Sequence, residues 1–159
     1  MPFLPIESYK RRKTTTLLVV HCSATKASAD IGAKEIREWH IKERHFQDVG
    51  YHYIIRRNGK RECGRPTWAV GAHAEGHNHE AVGVCLVGGA PADDPSTLIN
   101  ETLTKGENNF TIWQFDTLRE TLKGLLIEYP GATVLGHHDL EGVQKQCPSF
   151  DVKKWFSAD

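Results

Sequence analysis

The sequence has no long hydrophobic run, no excess of charge of either sign and no closely spaced cysteine pair. Its longest apolar runs, such as Leu17 to Val20 and Val82 to Val87, are far shorter than the roughly 20 residues that a membrane-spanning helix needs. Twenty basic residues balance 20 acidic ones, so the formal net charge is zero. A nucleic-acid-binding protein is usually basic. We therefore expect neither membrane insertion nor direct binding of nucleic acid.

The four cysteines are scattered along the chain and form no C-x-x-C motif. Neither a zinc finger nor a thioredoxin-type site is therefore predicted. We expect Cys22, Cys63 and Cys85 to be free thiols that pack as small buried hydrophobic residues. Cys147 differs, because it lies in a polar segment just before Pro148.

The N-terminal segment contains the basic run Lys10 to Lys13, but no apolar stretch of useful length follows it. A signal peptide needs such a stretch, so none is predicted. We expect residues 1–13 to form a solvated, flexible arm. The length of 159 residues and the absence of internal repeats predict a single domain spanning residues 1–159.

The remaining pattern predicts an α/β fold, with a central mixed β-sheet flanked by helices. Asn58-Gly59 predicts a tight hairpin turn, and Thr111 with Gln114 is typical of a capping box at a helix start. Apolar positions at helical spacing predict that Trp113, Phe115, Leu118 and Leu122 face the core. The predicted elements are strands at Thr14–Cys22, Tyr53–Arg57, Lys60–Cys63, Ala81–Val87 and Thr133–Leu135, helices at Ile31–Phe46 and from Thr111 to about Tyr129, a short helix capped by Asp151, and an exposed loop at Pro91–Asn109.

Potential metal ligands lie at the ends of predicted strands. His21 ends the first strand, His137 and His138 follow the last strand, and Cys147 lies in a loop. Two histidines and one thiolate leave the fourth tetrahedral position of Zn²⁺ open, as in catalytic sites. Because the chain has nine histidines, scattered surface histidines explain the same pattern, and spacing alone leaves both interpretations open.

Five segments, taken together and in order, resemble the type 2 N-acetylmuramoyl-L-alanine amidases. This family includes phage endolysins, bacterial recycling amidases and peptidoglycan recognition proteins, and the sequence is most similar to the bacteriophage T-seven lysozyme group. The resemblance extends from about Leu17 to Trp155 and implies zinc-dependent hydrolysis of the amide bond between N-acetylmuramic acid and L-alanine. The segments are His21–Thr25, Asp48–Ile55, Gly83–Gly89, His137-His138 and Cys147–Phe150.

The resemblance also implies roles for individual residues. His21, His137 and Cys147 occupy the positions of the family's zinc ligands. Tyr51 falls on its active-site tyrosine, and Lys145 on the lysine that precedes the cysteine ligand by two residues. From the sequence alone, a core aromatic residue and a solvated surface charge remain the alternatives for these two.

Two further positions match the substrate groove of the family. His73 and Asn78 are expected to contact the substrate, with an ordinary structural role as the alternative for each. The implied partner is bacterial peptidoglycan. The resemblance to the T-seven group also implies a possible contact with a phage RNA polymerase, through a surface outside the zinc cleft.

A non-catalytic peptidoglycan-recognition module is the alternative function. Recognition proteins of this family commonly lack the cysteine ligand, so the presence of Cys147 favours catalysis. The resemblance further implies a monomer in the cytoplasm of the host bacterium, which reaches the cell wall by holin-type release.

Overall fold

A five-stranded mixed sheet, with α-helices on its two faces, forms the centre of the computed structural model, which describes residues 2–158. The elements are β1 Leu17–Cys22, β2 Thr25–Lys26, α1 Ala33–Glu43, β3 Tyr53–Ile55, β4 Arg61–Cys63, β5 Ala81–Leu86, β6 Gly89–Ala90, α2 Ile112–Glu128, β7 Thr133–Gly136 and α3 Val152–Ser157. The strand order in the main sheet is β4-β3-β5-β1-β7, and β2 and β6 form a separate two-stranded sheet.

The strand directions confirm the predicted mixed sheet. β1 pairs in parallel with both β5 and β7, and β3 pairs in parallel with β5. β3 and β4 form the antiparallel hairpin that Asn58-Gly59 predicts, with Gly59 at a φ of 88°. No helix in the described range 2–158 is long and apolar enough to cross a bilayer.

Strand β1, which lies between β5 and β7, places alternate side chains on opposite faces of the sheet. Leu18 and Val20 pack with Leu118 and Leu122 of α2 in the main core. His21 therefore projects from the other face, on the side where Ile36 of α1 packs with the sheet. Since helices cover both faces, β1 and β5 are nearly continuous apolar runs, as is usual for strands in parallel sheets.

Helix α2 begins with the capping box that the sequence predicts. The hydroxyl of Thr111 accepts a hydrogen bond from the amide of Gln114, whose side-chain oxygen accepts one from the amide of Thr111. Leu118 and Leu122 are fully buried, as expected, but the core position predicted for Trp113 is wrong. Its side chain is 59% exposed because the first turn of the helix passes over the hairpin tip at Gly59.

The cysteines are all free, but their environments differ. Cys22, Cys85 and Cys147 are buried. Cys63 is exposed, so the buried position predicted for it is wrong. The reason is its place on β4, which is the edge strand of the sheet and pairs only with β3.

The sequence predicts a flexible arm for the N-terminal segment. Most of residues 2–13 are exposed, but Tyr9 and Arg12 are buried against the rest of the chain. The Tyr9 hydroxyl donates a 2.6 Å hydrogen bond to the buried carboxylate of Asp48. The Arg12 guanidinium is also buried and donates to the carbonyl oxygens of Thr67 and Ala69. These contacts fasten the segment at two points.

Candidate metal centre and catalytic cleft

Three predicted ligands converge at one edge of the sheet. His21 lies near the end of β1, and His137 opens a 3-10 turn directly after β7. Because β1 and β7 are parallel neighbours, with Val20 opposite Gly136, the two histidines leave the sheet side by side. Cys147 reaches the same place from the loop before α3, where its carbonyl oxygen accepts a 2.8 Å hydrogen bond from the amide of His138.

The donor atoms of His21, His137 and Cys147 all lie within 4.8 Å of one another. Tetrahedral zinc, with Zn–N distances of about 2.0–2.1 Å and a Zn–S distance of about 2.3 Å, places its donors roughly 3.4–3.6 Å apart. The group therefore fits a tetrahedral metal ion after only a small contraction. His138 does not belong to this group.

The protonation states of the two histidines also suit a metal ion. Burial, followed by the positive charge of Lys145, lowers the pKa of His137 to about 4. Burial, followed by the neighbouring His137, lowers the pKa of His21 well below its usual value. Both imidazoles are therefore neutral at neutral pH, and each keeps a lone pair for a metal.

The thiol of Cys147 needs a positive charge nearby before it ionises. Burial raises its pKa well above the usual value for cysteine. The backbone amide of Cys22 donates a 3.2 Å hydrogen bond to its sulfur, which favours the thiolate. A divalent cation held by these residues would supply the remaining stabilisation, since a coordinating thiol loses its proton.

A cleft of about 970 Å³ opens over this group. A second hollow of about 140 Å³ lies beside the N-terminal segment and contains none of the predicted site residues. The large cleft is the place where a substrate can reach the three ligands. The residues predicted from the sequence that line it are His21, Tyr51, His73, Asn78, His137, Lys145 and Cys147.

Tyr51 stands beside the ligand histidine, with its ring centroid 5.1 Å from that of His21. Burial raises the pKa of its hydroxyl well above the usual value near 10. The phenol therefore keeps its proton at neutral pH. Its hydroxyl lies beside the buried thiol of Cys85, and a phenol that keeps its proton is a poor general base.

Lys145 lines the cleft two residues before Cys147. Its positive charge contributes to the lowered pKa of both His21 and His137, after burial and other nearby groups. The ammonium group is thus close enough to act electrostatically on the candidate centre, where negative charge develops during attack on an amide carbonyl.

His73 and Asn78 border the cleft, and both also have structural contacts. Nδ1 of His73 lies 2.8 Å from Nε2 of His21. The side-chain oxygen of Asn78 accepts hydrogen bonds from the backbone amides of His73 and Ala74, each at 2.9 Å. The predicted contact of these two residues with substrate stays a prediction.

Part of the cleft wall comes from Pro91–Asn109, which the sequence predicts to be an exposed loop. Within Pro91–Asn109, residues 99–104 line the cleft, and Leu103 is fully buried. The indole nitrogen of Trp39 donates to Glu101 across the cleft rim. Apolar residues inside this polar segment, such as Leu103, are the one sequence feature that indicates a packed loop.

His40 is another cleft residue without an assigned role in the sequence analysis. Its Nδ1 accepts a 2.9 Å hydrogen bond from the amide of Gly50, and burial lowers its pKa to about 4. The ring is therefore neutral, with its proton on Nε2. The adjacent Trp39 and the charged helix α1 gave no indication of this placement, because it depends on the loop around Gly50.

Comparison with known proteins agrees with the geometry. Residues 11–150 match the Amidase_2 family, described as N-acetylmuramoyl-L-alanine amidase. The endolysin of Escherichia phage T7 is 48% identical over 148 residues, which cover 93% of this chain and 89% of that protein. The endolysin of Klebsiella phage KP32 is 48% identical over 150 residues, with the same coverage. The chain belongs to the N-acetylmuramoyl-L-alanine amidase family.

Solved structures share the fold of this amidase. The N-acetylmuramoyl-L-alanine amidase endolysin LysCS from Clostridium intestinale superposes with a TM-score of 0.75 at 24% identity, covering 99% of this chain and 89% of that one. The Drosophila peptidoglycan recognition protein PGRP-LB superposes with a TM-score of 0.67 at 19% identity, covering 88% of this chain and 78% of that one. The fold expected from the resemblance is thus confirmed.

Proposed function

We propose that this amidase is a phage endolysin that hydrolyses the amide bond between N-acetylmuramic acid and L-alanine in bacterial peptidoglycan, with one zinc ion. The observation that carries the proposal is the convergence of His21, His137 and Cys147 at the floor of an open cleft. A thiolate and two imidazoles form a donor set that suits zinc, and a fourth position is left for the reaction.

The chemistry divides between the metal and the side chains around it. When bound, Zn²⁺ polarises a carbonyl and makes water acidic enough to supply a nucleophile near neutral pH. Lys145 places a positive charge where the carbonyl oxygen becomes negative. Tyr51, as a protonated phenol, donates a hydrogen bond that orients a reacting oxygen. His73 and Asn78 border the path along which the peptide stem enters.

The decisive experiment joins metal analysis with a digest of defined muropeptides. We expect about one zinc per chain and release of peptides with a free N-terminal L-alanine. A chelator should abolish this release, and added zinc should restore it. Full activity in a metal-free preparation would overturn the mechanism. Binding of muropeptides without any release would instead support the alternative, a non-catalytic recognition module.

The biological setting is also part of the proposal. We place the enzyme in the cytoplasm of the host bacterium, as a monomer built from one catalytic domain, residues 1–159, with holin-type release to the cell wall. Fractionation of infected cells before and after holin triggering tests the location. Sedimentation of the purified protein tests the monomer.

Contact with a phage RNA polymerase stays a prediction from the resemblance. The expected interface lies outside the zinc cleft, so substitution of metal ligands should not weaken it. A pull-down with the cognate polymerase, followed by a transcription assay with and without the amidase, tests this prediction. Unchanged transcription at saturating amidase would contradict it.

A further inference from the structure

His73 lies behind the candidate metal centre, edge-on to one of its ligands. The rings of His73 and His21 are nearly perpendicular, at 89°, with their centroids 4.9 Å apart. Nδ1 of His73 and Nε2 of His21 are 2.8 Å apart, which is hydrogen-bond distance. The side chain of His73 thus engages one of the two ring nitrogens of His21 and leaves the other nitrogen, Nδ1, without this contact.

We propose that His73 is a positioning residue, which accepts a hydrogen bond from Nε2–H of His21 and so fixes the ring for metal binding through Nδ1. This inference rests on the proposed metal site and goes beyond it. A histidine ligand commonly donates its second ring N–H to an acceptor that fixes its tautomer and orientation. Such acceptors are usually carboxylates, carbonyls or water; here the acceptor is a second imidazole.

The direction of the hydrogen bond between His21 and His73 follows from the tautomer that His21 must adopt to bind a metal. A neutral imidazole that binds a metal through one nitrogen carries its proton on the other. Since Nε2 of His21 is engaged by His73, Nδ1 is the nitrogen left for the metal. Nδ1 of His73 must then be the acceptor, and the proton of His73 lies on Nε2.

Two glycines leave the room that the His73 ring occupies. A Cβ atom added at Gly83 of β5 would lie 2.6 Å from Cγ of His73, and one added at Gly71 would lie 2.7 Å from its Cδ2. Neither glycine has the positive φ that requires glycine for backbone reasons. Their missing side chains therefore serve the close approach of the ring. Asn78 fixes the backbone of the same residue, as described above.

The far side of the His73 ring indicates that stability alone does not explain this arrangement. Nε2 of His73 is buried, and its interaction with the backbone of Ala81 lacks good hydrogen-bond geometry. A buried polar atom with a poorly formed hydrogen bond is unfavourable. The well-formed contact of this imidazole is the one between its Nδ1 and His21.

The test compares two substitutions of His73 in the full chain. The side-chain oxygen of asparagine can occupy the place of Nδ1, so His73→Asn keeps an acceptor for His21. His73→Leu keeps bulk and removes the acceptor. Zinc affinity is measured by competition with a chromogenic chelator, and thermal unfolding of the metal-free proteins reports folding separately. We expect a loss of about 10- to 100-fold in zinc affinity for His73→Leu, and less than about threefold for His73→Asn.

Three further measurements keep the proposal testable if His73→Leu does not fold. His73→Gln retains a polar side chain but places its amide near Nε2, so it should lose zinc affinity as the leucine variant does. Gly83→Ala should also lower the affinity, because the added methyl group displaces the ring. Nitrogen-15 shifts of zinc-loaded wild-type protein should show the His21 proton on Nε2.

The outcomes separate this inference from the proposed function. If the wild-type chain binds no zinc, the proposed metal site itself fails. If the wild type binds zinc and the leucine and glutamine variants bind it equally well, only the role of His73 is overturned. If His73→Asn binds zinc as weakly as His73→Leu does, the role of His73 is also contradicted. The shape of the side chain, and not its hydrogen-bond acceptor, would then determine the zinc affinity.

Discussion

The backbone amide of Cys22 lies 3.2 Å from the sulfur of Cys147, although 125 residues separate them in the sequence. The end of β1 therefore makes two contributions to the candidate metal centre. Its His21 provides one donor, and the next residue along the strand stabilises the thiolate of another. This arrangement ties the candidate metal site to an interior strand of the sheet, which is buried from Leu18 to Cys22.

Loss of a ligand should remove the metal. We expect Cys147→Ser and His21→Ala to retain far less than one zinc per chain, because three protein donors are needed to hold a catalytic zinc tightly. Metal analysis after gel filtration measures this. Cys63→Ser is the matched control, since that thiol is exposed and outside the ligand group, and its zinc content should equal that of the wild type. Full zinc occupancy in Cys147→Ser would contradict the assignment.

Removal of one hydroxyl should separate binding from turnover. Tyr51→Phe keeps the ring beside His21 but removes the hydrogen-bond donor, so zinc content should be unchanged. We expect kcat to fall by about 10²- to 10³-fold, as for loss of one donor to a reacting oxygen. Steady-state digestion of muropeptides gives the value. Tyr53→Phe is the control, because its hydroxyl contacts Thr67 away from the cleft, and wild-type turnover in Tyr51→Phe would rule out the role.

Acid should destabilise the metal-free protein through its buried histidines. Burial lowers the pKa of His52 to about 4, whereas an unfolded histidine titrates near 6.5. Between these values the unfolded chain binds a proton that the native chain does not. The free energy of unfolding therefore falls as the pH drops from about 6.5 to about 4, by up to about 3 kcal/mol from this residue.

Urea unfolding at pH 7 and pH 4.5 measures the effect. His52→Gln should make the loss of stability on acidification smaller, because the titrating group is gone. His79→Gln provides the comparison, since the side chain of His79 is 71% exposed and its replacement should leave the pH dependence unchanged. An equally steep loss in His52→Gln and the wild type would contradict the prediction.

Even an almost isosteric substitution of Gln114 should lower the free energy of unfolding. Its buried side-chain nitrogen donates to the carbonyl oxygens of Ile55 and Val87, at the ends of two neighbouring strands. Gln114→Glu replaces this donor with a carboxylate oxygen that faces both carbonyls. We expect a loss of about 2–4 kcal/mol in unfolding free energy, measured by urea denaturation. The exposed Gln144→Glu should change it by less than about 0.5 kcal/mol.

The local elements followed from the sequence because their causes are local. Asn58-Gly59 provides the left-handed backbone that a tight hairpin needs, and the Thr111–Gln114 pair closes the first turn of α2. The apolar runs of β1 and β5 marked strands buried on both faces. The ligand set, in contrast, followed only from the resemblance, since spacing alone left scattered surface histidines as the simpler explanation.

Other features depended on neighbours that are distant in the sequence. Trp113 has the spacing of a core residue but lies over the hairpin tip, and Cys63 has a strand setting but lies on an edge. The position of Leu103 in the cleft wall could not be predicted either. Its burial depends on contacts with the loop that carries Cys147, including a hydrogen bond from the amide of Gln146 to its carbonyl oxygen.

By itself, the sequence determined the order of strands and helices and the turn and cap that bound them, and its resemblance to the amidases indicated the donor residues. The tertiary structure alone decided that His21, His137 and Cys147 meet, and that His73 stands behind the first of them. The reason is that hydrophobic periodicity reports only which side of an element faces the core. The distance between side chains on different strands is set by strand register and by the packing of the loops beyond the strand ends.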